Sequence, residues 1–185
     1  VGHPPGAPLY QILGAFFSIF AMEASNIALT INLMSVFASA FTILFMFWSL
    51  TILLRMVVQK HQELNSNNRI AIIGSAAVGA LSFAFTDSFW YNAVEAEVYA
   101  SAACVLSVLF YCALRWEREM NTPRGDRWLI LIAFIIGLSF GIHFMGLLAI
   151  PAMGFLYYFK NYKTITLKNF IIANVVTVAI LLFIF

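Results

Sequence analysis

Residues 27–54 read IALTINLMSVFASAFTILFMFWSLTILL, a run without one charged side chain, and Arg55 closes it. A helix rises about 1.5 Å per residue, so roughly 20 residues cross the hydrocarbon of a bilayer. This run is longer than that and is predicted to be a tilted span, or a span that extends beyond the membrane. All ten Lys and Arg residues sit outside such runs, in three clusters. The first is Arg55, Lys60 and Arg69; the second is Arg115, Arg118, Arg124 and Arg127; the third is Lys160, Lys163 and Lys168. Positive charge marks the cytoplasmic side of membrane proteins, which places all three loops there. The connections on the other side carry Glu23, Asp87, Glu95, Glu97, His3 and His143 and no Lys or Arg. One face is basic and plain; the other holds most of the residues capable of chemistry.

Composition agrees. The chain is 63% hydrophobic and 10% charged, with a mean hydropathy of +0.93, which excludes an ordinary soluble domain. The net charge of +2 carries little information because charge is sorted by side. The length suits one transmembrane domain over residues 1–185, with 1–26 an external loop and interfacial helix and 27–185 the membrane part. Val1 is not a start Met and no signal peptide precedes the first polar motif, so the chain is read as a piece of a longer protein. Cys104 and Cys112 fall within one predicted span, where thiols serve packing far more often than disulfides or metals.

Further spans are expected over about residues 70–85 and 98–114, with loops at 61–68 (HQELNSNN) and 117–126. Residues 128–159 are almost wholly apolar, yet both flanks are basic. One helix would put those flanks on opposite sides, so the charge rule demands a hairpin turning near Gly141, Ile142 and His143. Each arm is about 15 residues, shorter than a full crossing, and Pro151 is expected to kink the second arm. A last span begins near Phe170. The N-terminal stretch holds His3, Pro4, Pro5 and Gly6, which cannot form regular helix. An apolar segment over about 9–20 follows, too short to span and suited to the interface. The expected fold is all-α: a polytopic bundle of about six transmembrane helices with an interfacial N-terminal helix.

The richest constellation is residues 87–99. It brings Asp87, Glu95 and Glu97 together with Trp90, Tyr91, Asn92 and Tyr99. A solvated loop with interfacial aromatic anchors has the same composition. The functional alternative is an acid cluster that binds a cation, polarises a hydroxyl or orients a sugar, because an acid at membrane depth is costly without a partner or a task. Glu95 and Glu97 share a face on extended chain but diverge by about 200° on a helix. Helical spacing would leave only one of them facing a cavity, and Glu97 is the favoured one. His143 is either a packed core residue or a site residue at the hairpin turn, and Gly137, Gly141 and Gly146 nearby permit close helix approach. His3 is either displayed by the Pro-Pro-Gly turn or part of a disordered end. No nucleotide-hydrolysis or structural-zinc motif is present.

Residues 2–10 (GHPPGAPLY), 32–35 (NLMS), 89–99 (FWYNAVEAEVY) and 141–143 (GIH) resemble, in that order, the protein O-mannosyltransferase-like family, long catalogued as a domain of unknown function. The family is similar to type C glycosyltransferases: polytopic enzymes that use a polyprenyl-phosphate-linked sugar on the non-cytoplasmic face. The resemblance implies a mannose-like sugar moved from that donor to a protein hydroxyl, with the bilayer as the third partner and no nucleic acid. It implies catalytic roles for Glu97, Glu95 and His143. It also implies substrate contacts from His3, Pro4, Pro5, Gly6, Asp87, Trp90, Tyr91, Asn92 and Tyr99. In family members an acidic stretch precedes the His-Pro-Pro-Gly motif, so the main catalytic base is expected upstream of Val1. A bacterial inner membrane with a periplasmic site is the expected location.

An acceptor hydroxyl needs a carboxylate to take its proton, and the leaving phosphate needs its charge offset. With no Lys or Arg on the outer side, the candidates for that offset are His3, His143, backbone N–H groups at a helix start, a divalent cation on Glu95 or Glu97, or an upstream Arg. The metal is left unknown. The competing readings are a carrier or flippase for an anionic lipid, disfavoured by the lack of an inverted repeat, and a catalytically inactive assembly subunit.

Overall fold

The computed structural model describes residues 6–162, 164 and 166–184. The described residues are helical with short connections and no strand. In chain order they form α1 (Pro8–Ser18), α2 (Ile27–His61), α3 (Ser66–Ala84), α4 (Asp87–Val94), α5 (Val98–Glu119), α6 (Gly125–Ser139), α7 (Ala149–Asn161) and α8 (Leu167–Ile184). A 3₁₀ turn, Ala24–Asn26, leads into α2, and a second, Phe144–Leu148, leads into α7.

The 35-residue helix α2 runs through Arg55 and Lys60 to His61, roughly 52 Å at the usual rise. The helix is longer than a crossing needs, as tilt or an extension beyond the membrane requires, and the loop expected over 61–68 shrinks to the connection before Ser66. Asn65 stops the loop: its side chain accepts the Asn68 N–H at 2.8 Å and caps α3. Large apolar side chains of α2 point outward, with Leu29 63% and Phe37 53% exposed, while Thr30, Ser35, Ser39, Thr42 and Ser49 are buried. This inverts the pattern of a water-soluble helix. It is the pattern of a helix that meets lipid with its large residues and other helices with its small ones.

Helix α5 lies at the centre, packed on α2, α6 and α7. Leu109, Cys112 and Trp116 of α5 form the core with Ile132 of α6 and Ala149 of α7. Cys104 and Cys112 are both free thiols, and Cys112 packs in that core. Tyr111 of α5 packs on Phe45 and Trp48 of α2, with ring centroids 5.5 and 5.6 Å away.

The chain reverses between α6 and α7, and the C-terminal end of α5 shows it. Glu119 accepts Trp128 Nε1 at 3.1 Å, from the start of α6. Glu117 pairs with Lys160 Nζ at 2.6 Å, from the end of α7. The two flanks of the predicted hairpin therefore sit at one end of α5, and the turn lies at the other. Helix α5 continues through Glu117 and Glu119 because Arg115, Trp128 and Lys160 give those carboxylates partners. The solvated loop expected over 117–126 is correspondingly shorter. Pro151 does not kink the second arm. It falls in the first turn of α7, where a missing N–H breaks no intrahelical bond.

The turn is tightest at Gly146. A Cβ there would lie 2.6 Å from Ser139 Cβ and clash with its Oγ. Overpacking at such a buried contact costs about 1–3 kcal/mol. Gly146→Ala is expected to lower the thermal midpoint of the detergent-purified protein by several degrees, whereas Gly137→Ala, which meets nothing within 4 Å, should not lower it.

Two stretches are long and apolar enough to cross a membrane, Ala24–His61 and Val98–Glu119. A third qualifies if α3 and α4, bent by 67° at their junction, count as one. Helices α6 and α7 are shorter, as expected for the hairpin arms; the apolar stretch Leu167–Phe183 of α8, where a last span was expected, is also shorter than the candidate spans.

Candidate functional site

At the end of α5 opposite Glu117 and Glu119, four chain segments meet. Helix α1 begins with Pro8 at its first position, and Gly6 just before it has φ +90, a left-handed turn that glycine adopts without strain. The N–H groups of Leu9 and Tyr10 would be orphans of the first turn. Both donate to the Gly141 carbonyl, at 2.8 and 3.1 Å. Close approach depends on the missing side chain of Gly141, since a Cβ there would be 2.7 Å from Leu9 Cβ. The start of α1 is thereby fixed to the turn that carries His143.

His143 has extended backbone and heads the 3₁₀ turn Phe144–Leu148. Its Nδ1 accepts the Met145 N–H at 3.2 Å. With Nδ1 accepting, Nε2 is the ring nitrogen left to donate. His143 thus offers one N–H donor and stands 5.8 Å, ring to ring, from Tyr99 in the first turn of α5.

Helix α1, which carries Tyr10, packs on α2. The Tyr10 hydroxyl lies beside that of Ser35, which is fully buried, and within electrostatic reach of Glu97. Neither hydroxyl completes a well-formed hydrogen bond among the described residues. Burial pushes the Tyr10 phenol above its ordinary range; the Ser35 hydroxyl opposes this, and the negative charge of Glu97 adds to it. Tyr10 is therefore a protonated donor.

Glu95 and Glu97 lie between α4 and α5, not within a helix. Both have extended backbone, with the Glu97 N–H bonded to the Glu95 carbonyl at 2.9 Å. The helical spacing expected to separate them does not apply. They differ by neighbourhood instead. Glu97 precedes the first residue of α5, where the helix dipole favours an anion, and its charge helps raise the Tyr10 phenol. Glu95 is exposed, and its carboxylate makes no hydrogen bond or ion pair among the described residues.

The other sequence-derived candidates stand apart. Asp87 opens α4 and is exposed, as are Trp90 and Tyr91. Trp90 stacks on Phe85 at 6.0 Å, and the Asn92 amide donates to the Ser88 carbonyl of its own helix at 2.9 Å. No hydrogen bond or ring contact joins these four to His143 or Tyr10 among the described residues. They form an exposed aromatic rim on α4, which packs mainly on α2. His3, Pro4 and Pro5 lie outside the described residues.

Among the described residues no three His, Cys, Asp or Glu side chains converge as a metal site would need. The connections at this end of α5 also carry no Lys or Arg. The groups left to face an anion are His143 Nε2–H and the start of α5, which has no side-chain cap. A cavity of about 580 Å³ opens elsewhere, between α5, α7 and α8, lined by Trp116, Met153, Tyr157, Tyr158, Ile172 and Val176. It shares no residue with the site around Gly141 and His143.

Reasoning from residue types alone passed over Tyr10 and Ser35, and read Gly141 as a turn residue that permits close approach. Their signal was available: each belongs to one of the four stretches that carry the family resemblance. Tyr10 comes from GHPPGAPLY, Ser35 from NLMS, Glu97 and Tyr99 from FWYNAVEAEVY, and Gly141 and His143 from GIH.

The fold and this site define an all-helical, membrane-type protein with carboxylate and imidazole groups gathered at its acidic end. Residues 1–166 match the family described as Protein O-mannosyl-transferase TMEM260 N-terminal domain, and the chain belongs to that family. No curated protein and no solved structure matches it.

Proposed function

We propose that this chain builds one wall of a membrane glycosyltransferase site, moving a mannose-like sugar from a polyprenyl-phosphate donor to a protein hydroxyl on the non-cytoplasmic face. The observation that carries this reading is the meeting of Tyr10, Ser35, Glu97 and the Gly141–His143 turn at one end, from segments up to 133 residues apart in sequence. Family membership supplies the reaction class.

In this reading the acceptor oxygen bonds to the anomeric carbon as the bond from that carbon to the phosphate oxygen breaks. A carboxylate takes the acceptor proton. Glu97 is the acid of this chain placed to contribute. His143 Nε2–H and the uncapped start of α5 face the departing phosphate and offset its charge. The donor enters sideways from the bilayer, between six spans contributed by α2, the bent pair α3–α4, α5, α6, α7 and α8. Trp90 and Tyr91 anchor α4 at the interface. The site lies on the periplasmic side of a bacterial inner membrane.

The test is transfer by the full-length protein in liposomes supplied with polyprenyl-phosphate mannose and an acceptor peptide. Mannosylated peptide is expected; donor crossing the bilayer without transfer would instead make the protein a carrier. Orientation has its own test. Cysteine placed at Asn65 or Asn121 should resist an impermeant reagent added to intact cells, and cysteine at Met22, which is 98% exposed, should react. Labelling at Asn65 or Asn121 would reverse the assigned topology.

A further inference from the structure

Helix α8 packs chiefly on α7. Where the two touch, a Cβ on Gly154 would come within 2.8 Å of Thr177 Oγ1. Helix α5 adds one side chain, Trp116, to the wall of the space between them. The cavity left there, about 580 Å³, is of the size that holds small molecules and cofactors, about 300–1,000 Å³. Its lining is aromatic and aliphatic, and no lining residue is charged. Trp116 stacks on Tyr157 with ring centroids 6.5 Å apart, and Tyr158 on Tyr162 at 5.2 Å. Tyr158 is 4% exposed, and its hydroxyl is buried without a partner among the described residues. Buried hydroxyls almost always have one, so this wall is short of an acceptor.

Charge lies at the rim. Ile172 and Val176 of α8 line the cavity, and Lys168 stands one turn before Ile172 on the same helix face. Lys168 is exposed and makes no ion pair among the described residues, whereas Lys160 is paired with Glu117. Asn169 lines the cavity itself. Thr166 Oγ1 accepts the Asn169 N–H at 3.3 Å and caps the start of α8. The N–H groups of Leu167 and Lys168 in that turn have no partner among the described residues. The connection from α7 is short, so the start of α8 lies at the same basic end as Lys160. Donors suited to an anion therefore border an uncharged, apolar space.

We propose that this cavity binds an anionic glycerophospholipid: an acyl chain fills the space between α5, α7 and α8, and the headgroup phosphate rests on Lys168, Asn169 and the first turn of α8. Basic pockets between membrane helices take anionic headgroups, and helix starts take phosphate. The apolar wall suits a hydrocarbon chain, and a lipid ester carbonyl supplies the acceptor that Tyr158 lacks. A neutral apolar ligand would leave Lys168 unused, and free phosphate would leave the cavity unfilled. The site does not rest on the transferase reading.

The test uses the full-length protein, stripped of lipid in detergent and titrated with phosphatidylglycerol or with phosphatidylcholine of the same acyl chains. Bound lipid is counted by native mass spectrometry. Phosphatidylglycerol should be retained at least about fivefold more tightly than phosphatidylcholine, and Lys168→Ala should remove about fivefold of its affinity, the usual contribution of one Lys beside an anionic lipid. Arg127→Ala is the control. Arg127 is exposed near the same basic end, on α6, which lines no part of the cavity, so its loss should cost less than about twofold. Ala173→Trp fills the cavity and should abolish retention. Equal retention of the two lipids, or equal losses from Lys168→Ala and Arg127→Ala, would reduce the effect to diffuse attraction and overturn the proposal. Retention untouched by Ala173→Trp would place the lipid elsewhere, and no retained lipid on the unaltered protein would mean that another part of the chain fills the cavity; either overturns it. Should Ala173→Trp not fold, the two exposed substitutions still decide.

Discussion

Glu97→Gln in the full-length protein is expected to lower the sugar-transfer rate by about 10²-fold, and Glu95→Gln by less than about fivefold; removing a general base or a stabilising charge typically costs 10² or more. Both substitutions keep the side-chain shape and remove the charge. The two residues share extended backbone and are bridged by one hydrogen bond, so local conformation does not separate them. Surroundings do. Glu97 stands at the start of α5, whose first turn carries Tyr99 against His143. Glu95 ends α4 in solvent. Steady-state kinetics on both variants decide the matter, and wild-type rates for both would remove any catalytic role from this pair.

The second large effect is expected at Gly141. Alanine there would bring a Cβ to 2.7 Å from Leu9 Cβ and 3.3 Å from Leu9 N. Neither neighbour is the end of a flexible side chain, so α1 must move off and its two bonds to the Gly141 carbonyl must stretch. Steric strain of about 1–3 kcal/mol and two hydrogen bonds of about 1 kcal/mol each are at stake. Transfer should fall by about 10- to 100-fold. Helix α1 buries no residue completely, so the rest of the fold should hold. Limited proteolysis should then cut faster between α1 and α2, with the thermal midpoint nearly unchanged. A wild-type rate with unchanged proteolysis would show that α1 docking does not matter to the site.

Much of the fold was legible because charge placement is a long-range signal written locally. Basic flanks around residues 128–159 required a reversal, and Glu117 and Glu119 hold both flanks at one end as required. Helix ends were less legible. His61 and Glu119 look like loop residues by composition, but capping at Asn65 and the partners of Glu117 and Glu119 extend regular structure to meet them. Pro151 was misread because its effect depends on its place within a helix, and residue type alone does not give the start of α7. In the site, Glu97 and His143 stood out as polar groups in apolar chain. Tyr10 and Ser35 did not, because their significance arises from a contact between α1 and α2 and from burial without partners. Asp87, Trp90, Tyr91 and Asn92 looked equally eligible by sequence proximity to Glu97. The bend between α3 and α4 and the short helix that follows turn Asp87, Trp90 and Tyr91 to an exposed rim and leave Asn92 half-buried on its own helix.

The central claim is that the acidic end around Glu97 holds the sugar end of a lipid-linked donor. The most direct measurement is photo-crosslinking of the full-length protein in nanodiscs with a polyprenyl-phosphate mannose analogue carrying its photoreactive group near the sugar, followed by peptide mapping. The account predicts crosslinks within residues 6–20, 95–101 and 139–146, competed by unlabelled donor. Competed crosslinks confined to residues 115–128 or 153–177, at the basic end and the cavity between α5, α7 and α8, would contradict it.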